Sequence, residues 1–76
     1  MPPTFDQILA TLASAEVGTM DRIIEKMRSV AFGLREVNQA DLSAKAEDAI
    51  AALGRADVAE FKRLRAFIQS KVGHLR

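Results

Sequence analysis

From Phe5 to Leu75 the apolar side chains return every three or four residues, and no stretch alternates polar and apolar for long. That is the period of an α-helix, in which residues i, i+3, i+4 and i+7 share one face. β-branched residues are scattered, so no segment reads as a strand, and the chain is expected to be all-α.

Four helices follow from the stripes and their punctuation. Thr4 with Gln7 forms a capping-box pattern behind Pro2-Pro3, and Phe5, Ile8, Leu9 and Leu12 then share a face, which predicts a helix over 5–15. Gly18 and Thr19 interrupt the pattern. Met20, Ile23, Ile24, Met27, Val30, Ala31, Leu34 and Val37 then predict a helix over 20–37. Asp41 is placed to cap a third helix over 42–53, with Leu42, Ala46, Ala49, Ile50 and Leu53 inward and Gly54 as its left-handed C-terminal stop. Asp57 with Glu60 opens a fourth over 58–72, carrying Val58, Phe61, Leu64, Ile68, Val72 and Leu75 and fraying near Gly73. Residues 1–3 are expected to be a flexible N-terminus.

Short connections make consecutive helices antiparallel, so the expected architecture is one domain over 1–76, a compact four-helix bundle built from two αα-hairpins. An offset of 41 residues pairs Ala10/Ala51, Leu12/Leu53, Ala15/Ala56, Val17/Val58, Arg22/Arg63, Ser29/Ser70, Leu34/Leu75 and Arg35/Arg76. Those identities suggest an internal duplication, although two hairpins of the same period align to some extent by necessity.

A chain of 76 residues cannot house two cores or a dinucleotide-binding sheet. Thirteen of its apolar residues are Ala, which leaves 24 larger Ile, Leu, Val, Met and Phe side chains for a thin core. Domains this small often add disulfides, a metal or a partner subunit. With no Cys and one His, helix packing or oligomerisation must serve instead. The lack of cysteine, of a signal-like N-terminus and of a long apolar run leads us to expect a cytoplasmic protein with no transmembrane segment. The net charge of +1 hides an asymmetry, because residues 1–53 carry net −3 and residues 54–76 net +4. The two parts attract each other, within one chain or between two.

Groups suited to catalysis are sparse, and no enzyme is expected. His74 stands near the C-terminus after Gly73, a poor place to hold a general base. Asp21 with Glu25, and Glu47 with Asp48, lack the Glu-x-x-His or Asp-rich loop of a metal site. The glycines at 18, 33, 54 and 73 are too dispersed to cradle a phosphate. No cofactor and no metal are expected.

Two phenylalanines depart from the stripes. At 100° per residue Phe32 projects among Asp21, Glu25, Arg28 and Arg35, and Phe67 lies beside Arg63, Lys71 and His74. Arg65 falls inside the apolar arc of the fourth helix, so it either snorkels or meets a carboxylate from another helix or subunit. Aromatics ringed by Arg and Lys are typical of protein interfaces. The sequence therefore leads us to expect a helical interaction or adaptor module, self-associating as a homodimer. Phe32 and Phe67 would be its anchors, with Arg28, Arg35, Arg63, Arg65 and Lys71 setting register.

The alternative expectation is a small DNA-binding regulator. Ser14, Val17, Gly18, Ile24 and Met27 fall near helix-turn-helix positions, and the fourth helix is basic, although its cations spread around most of its circumference. A third expectation rests that basic helix on an anionic membrane surface.

Overall fold

The computed structural model describes residues 3–76. It is a four-helix bundle: α1 (Phe5–Ser14), α2 (Met20–Glu36), α3 (Ala40–Gly54) and α4 (Val58–Leu75). Each helix packs on its sequence neighbour, and α1 closes the ring on α4, while the diagonal pairs do not approach each other. The result is an up-down-up-down bundle measuring 31 × 19 × 16 Å. Among the described residues there is no strand, and no helix is long and apolar enough to cross a membrane.

Most of the expected stripe residues form the core, whereas Met20, Val58 and Leu75 remain exposed. Leu12, Met27, Leu34, Ile68, Val30 and Val72 are its largest fully buried side chains. Between α2 and α3 the packing residues are small, including Ala31, Ala46 and Ala49, and buried Ser43 donates its hydroxyl to the Ala31 carbonyl at 2.7 Å. That bond satisfies a polar group which would otherwise be costly to bury. On the other side of α2, a methyl group added at Gly33 would lie 3.0 Å from Pro3 and 3.4 Å from Ile8. The N-terminal segment rests on this bare patch of helix.

Helix ends follow the sequence in part. The Thr4–Gln7 capping box forms in both directions, at 2.9 and 3.1 Å, and Thr19 caps α2. Asp57 accepts from the Glu60 amide at 3.1 Å, but the Glu60 carboxylate turns to Arg63, so only half of that box forms. Asp41 is not the cap of α3. The helix begins two residues before the expected start, with Gln39 at the N-cap and no side-chain cap bond, because Asn38 (φ 64°) reverses the chain earlier. Nor is Gly54 the left-handed stop. It ends α3 as a helical residue, and Ala56 (φ 60°) makes the reversal. Both reversals share one geometry, with Gln39 N–H bonding Leu34 O and Asp57 N–H bonding Ala52 O, each at 2.8 Å.

Two further boundaries differ from expectation. α4 runs through Gly73 to Leu75, and His74 holds the Ser70 carbonyl at 2.8 Å. Of the expected flexible N-terminus, Met1 and Pro2 lie outside the described residues, and Pro3 is half-buried over Gly33. The 41-residue offset matches buried Leu12 with buried Leu53 but pairs buried Leu34 with exposed Leu75. The halves share a topology, and of the eight paired positions Ala15/Ala56 and Leu34/Leu75 differ in burial.

Candidate interaction surface

α3 exposes Ala44, Asp48 and Ala51 along its outer face. On its α4 side, Leu42, Phe67 and Leu75 line an apolar groove rimmed by Lys45, Lys71, His74, Gln39 and Asp41. Phe67 remains 40% exposed. The Lys45 and Lys71 ammonium groups stand 5.9 and 5.6 Å from the centre of its ring, within reach of a cation–π attraction. Neither lysine forms an ion pair among the described residues.

On the α2 side, Phe32 is 63% exposed and stands over a groove made with Arg28, Ala31, Arg35, Glu47 and Ile50. Arg35 meets Glu47 at 3.5 Å, both side chains well exposed, which makes a loose surface pair. Phe32 also edges the groove over Gly33 and Ile8 on the α1 side, so it crowns α2.

The seven residues singled out from the sequence therefore do not form one cluster. Phe32, Arg28 and Arg35 line one groove, and Phe67 and Lys71 the other. Arg63 is turned to Glu60, whose carboxylate accepts its Nε–H at 3.1 Å. This hydrogen bond holds the Glu60 carboxyl below the ordinary carboxylate range and raises the Arg63 guanidinium in return.

Arg65 is nearly buried, at the edge of a crevice between α2 and α4. Its side chain is only 10% exposed and pairs with Glu16, which follows α1 in the same chain and is 57% exposed. One of its nitrogens also lies 3.5 Å from Leu12 O. Its Nε has no partner among the described residues. Of the two sequence alternatives, snorkelling or meeting a carboxylate, the second holds, and within one subunit.

Other cations are also engaged internally. Arg76 meets Asp6 at 2.9 Å, joining α4 to α1, and Lys26 donates to the Ser14 carbonyl at 2.9 Å. The latter bond caps the C-terminus of α1, which has no basic residue of its own in its last turn. Lys45 is the residue that sequence reasoning missed at the Phe67 groove. It comes from a different helix, and no spacing within α4 could announce it. Among the described residues, no three His, Cys, Asp or Glu side chains gather where a metal could be held.

Set against known protein families, curated proteins and solved structures, the chain finds no significant match in any of the three. Its function must be argued from its own surface.

Proposed function

We propose that this chain is a non-enzymatic helical interaction module which docks a segment of another protein in the Phe67 groove, with Phe32 as a second anchor across α3. The observation that carries the reading is the exposed Phe67 ring between two ammonium groups that pair with no carboxylate among the described residues. Burying the rest of such a ring is worth about 1 kcal/mol or more, and Lys45 and Lys71 supply charge complementarity. The partner that fits is an acidic amphipathic segment, presenting apolar side chains to Leu42, Phe67 and Leu75 and carboxylates to the lysines. Assembly of the chain as a homodimer belongs to the same proposal, and a cytoplasmic setting suits it.

DNA binding draws less support. Of the six basic residues over 54–76, Arg63, Arg65 and Arg76 are each paired with a carboxylate of this chain, which leaves Arg55, Lys62 and Lys71 without an ion pair among the described residues. So few phosphate contacts give little affinity at physiological salt. The buried stripe of α2 is likewise committed to the core.

The test is a nuclear magnetic resonance titration of the labelled full chain with a synthetic Glu/Leu amphipathic peptide, its Lys/Leu counterpart and duplex DNA. Saturable shifts at Leu42, Phe67 and Leu75 with the acidic peptide alone are expected, and Phe67→Ala removes them. Equal binding of both peptides, or none of the acidic one, overturns the reading. Salt-sensitive binding of DNA without the peptide would put the regulator in its place.

A further inference from the structure

α1 is too short for the bundle it closes. Its 10 residues span about 15 Å, whereas the 17 of α2 and the 18 of α4 span about 26 and 27 Å. Its lower end is level with the far ends of both neighbours, as the Asp6–Arg76 pair and the contact of Pro3 and Ile8 with Gly33 mark. Its upper end stops where Ser14 meets Lys26 and Leu12 meets Arg65. Above that level the connection over residues 15–19 lies beside the opening turns of α2 and α4.

The consequence shows in a single stripe. On α2, Met27, Val30 and Leu34 lie beneath α1 and are at most 1% exposed, but Met20, on the same apolar face, is 47% exposed. Val58, the first residue of the α4 stripe, is 47% exposed as well. Between them lies an open crevice with apolar walls of Ala15, Met20, Ile23, Leu53, Val58 and Phe61. Beside it, on the 15–19 connection, Val17 stands 73% exposed, next to a Gly18 whose φ of 123° strongly favours glycine.

We infer that this uncovered end is where two copies of the chain meet, about a two-fold axis, with Val17 of each seated in the crevice of the other. This rests on the self-association in the reading above and gives it a different location from the Phe67 groove. A two-fold contact needs projection and hollow on one face of the same molecule, and this end supplies both. It also needs charges that tolerate their own image. Glu16, Lys62 and Arg65 line the crevice, and Asp21, Arg22 and Asp57 stand at the opening turns of α2 and α4, so the end carries charges of both signs. The Phe67 groove meets that criterion less well, because its rim sets Lys45 and Lys71 against a single carboxylate, Asp41, so pairing it with itself leaves cations facing cations. A foreign acidic segment suits the groove, and a second copy suits the end. A standard contact covers about 800 Å² per partner, roughly one-sixth of the 4802 Å² surface of the chain.

The experiment is light scattering with size exclusion on the full chain, from about 10 μM to 1 mM, for the natural sequence, Val17→Asp, Val58→Asp and Phe67→Ser. Circular dichroism on each variant checks that the helices persist. The natural chain should rise from 8.3 kDa toward twice that mass, with both Asp variants raising the dissociation constant at least about tenfold and Phe67→Ser leaving it unchanged. Val17 lies outside the helices and the core, so its substitution isolates the contact from folding. A dimer that survives Val17→Asp, or one lost only with Phe67→Ser, overturns this location while leaving self-association standing. A monomer at every concentration overturns both, and peptide binding at Phe67 is then judged by its own titration.

Discussion

Arg65 and Glu16 form an unequal pair: the guanidinium is buried on α4 and keeps one unpartnered N–H, while the carboxylate is mostly in solvent. Removing the two partners should therefore have unequal effects. Glu16→Ala leaves a buried cation without its counter-ion and is expected to cost about 1–3 kcal/mol. Arg65→Met removes the charge and its orphaned donor together and fills similar space, so it should change stability by less than about 1 kcal/mol or raise it. Urea unfolding of both variants checks the ordering, and equal losses would contradict it.

Ala56 occupies a backbone conformation that favours glycine, at φ 60°. An L-residue in the left-handed region costs about 1–2 kcal/mol, part of which glycine returns as unfolded-state entropy. Ala56→Gly should raise stability by about 0.5–1 kcal/mol, seen as a higher melting temperature. Asn38, at φ 64°, tolerates the same geometry better, and Asn38→Gly should gain less.

Glycine to alanine should help at one helical position and not at another. Gly54 has nothing within 4 Å of an added methyl group, so Gly54→Ala should stabilise by about 0.5–1 kcal/mol. At Gly33 the methyl group would press on Pro3 and Ile8, which offsets the helical gain, and Gly33→Val should cost about 1–3 kcal/mol. Thermal melts of the three variants order them.

The helices were legible because their stripes repeat across the chain, and the start of α1 because Thr4 and Gln7 meet through local bonds. What lay beyond sequence reading was set by distance along the chain. Arg65 announced itself as an anomaly in its arc, but its partner lies 49 positions away and carries no mark of it. Lys45 reaches Phe67 from a neighbouring helix for the same reason. Met20 and Val58 read as core because periodicity reports which way a side chain points and not whether another helix is long enough to cover it. The turn at Ala56 was missed because Gly54, the better candidate by propensity, lies two residues too early.

Acid should weaken the fold through Glu60. Its folded carboxyl titrates below the ordinary carboxylate range because Arg63 hydrogen-bonds it. The stabilisation from this pair is complete above the ordinary, unfolded value and is lost as pH falls through the lowered folded value. A carboxyl-detected titration should place the Glu60 midpoint below those of unpaired glutamates, and Arg63→Gln should return it to the ordinary range. The pair is exposed, so the effect on overall stability is small.

Phe32 and Phe67 should matter little to folding. Phe32→Ala is expected to change stability by no more than about 0.5 kcal/mol and Phe67→Ala by no more than about 1, against 2–5 for Leu34→Ala in the core. Denaturant midpoints measure this directly, and a loss of several kcal/mol at either Phe would tie that ring to the fold instead of to a partner.

The ring of helices also has an order in time. α2 with α3, and α3 with α4, meet through connections of a few residues, so their pairing closes short loops and is fast. α1 against α4 is the one seam that joins distant parts of the chain, and α1 is the shortest helix with the least surface to hold it there. It is the clasp of the molecule, last to fasten and first to slip, and its amide protons should exchange with solvent before those of the other three helices.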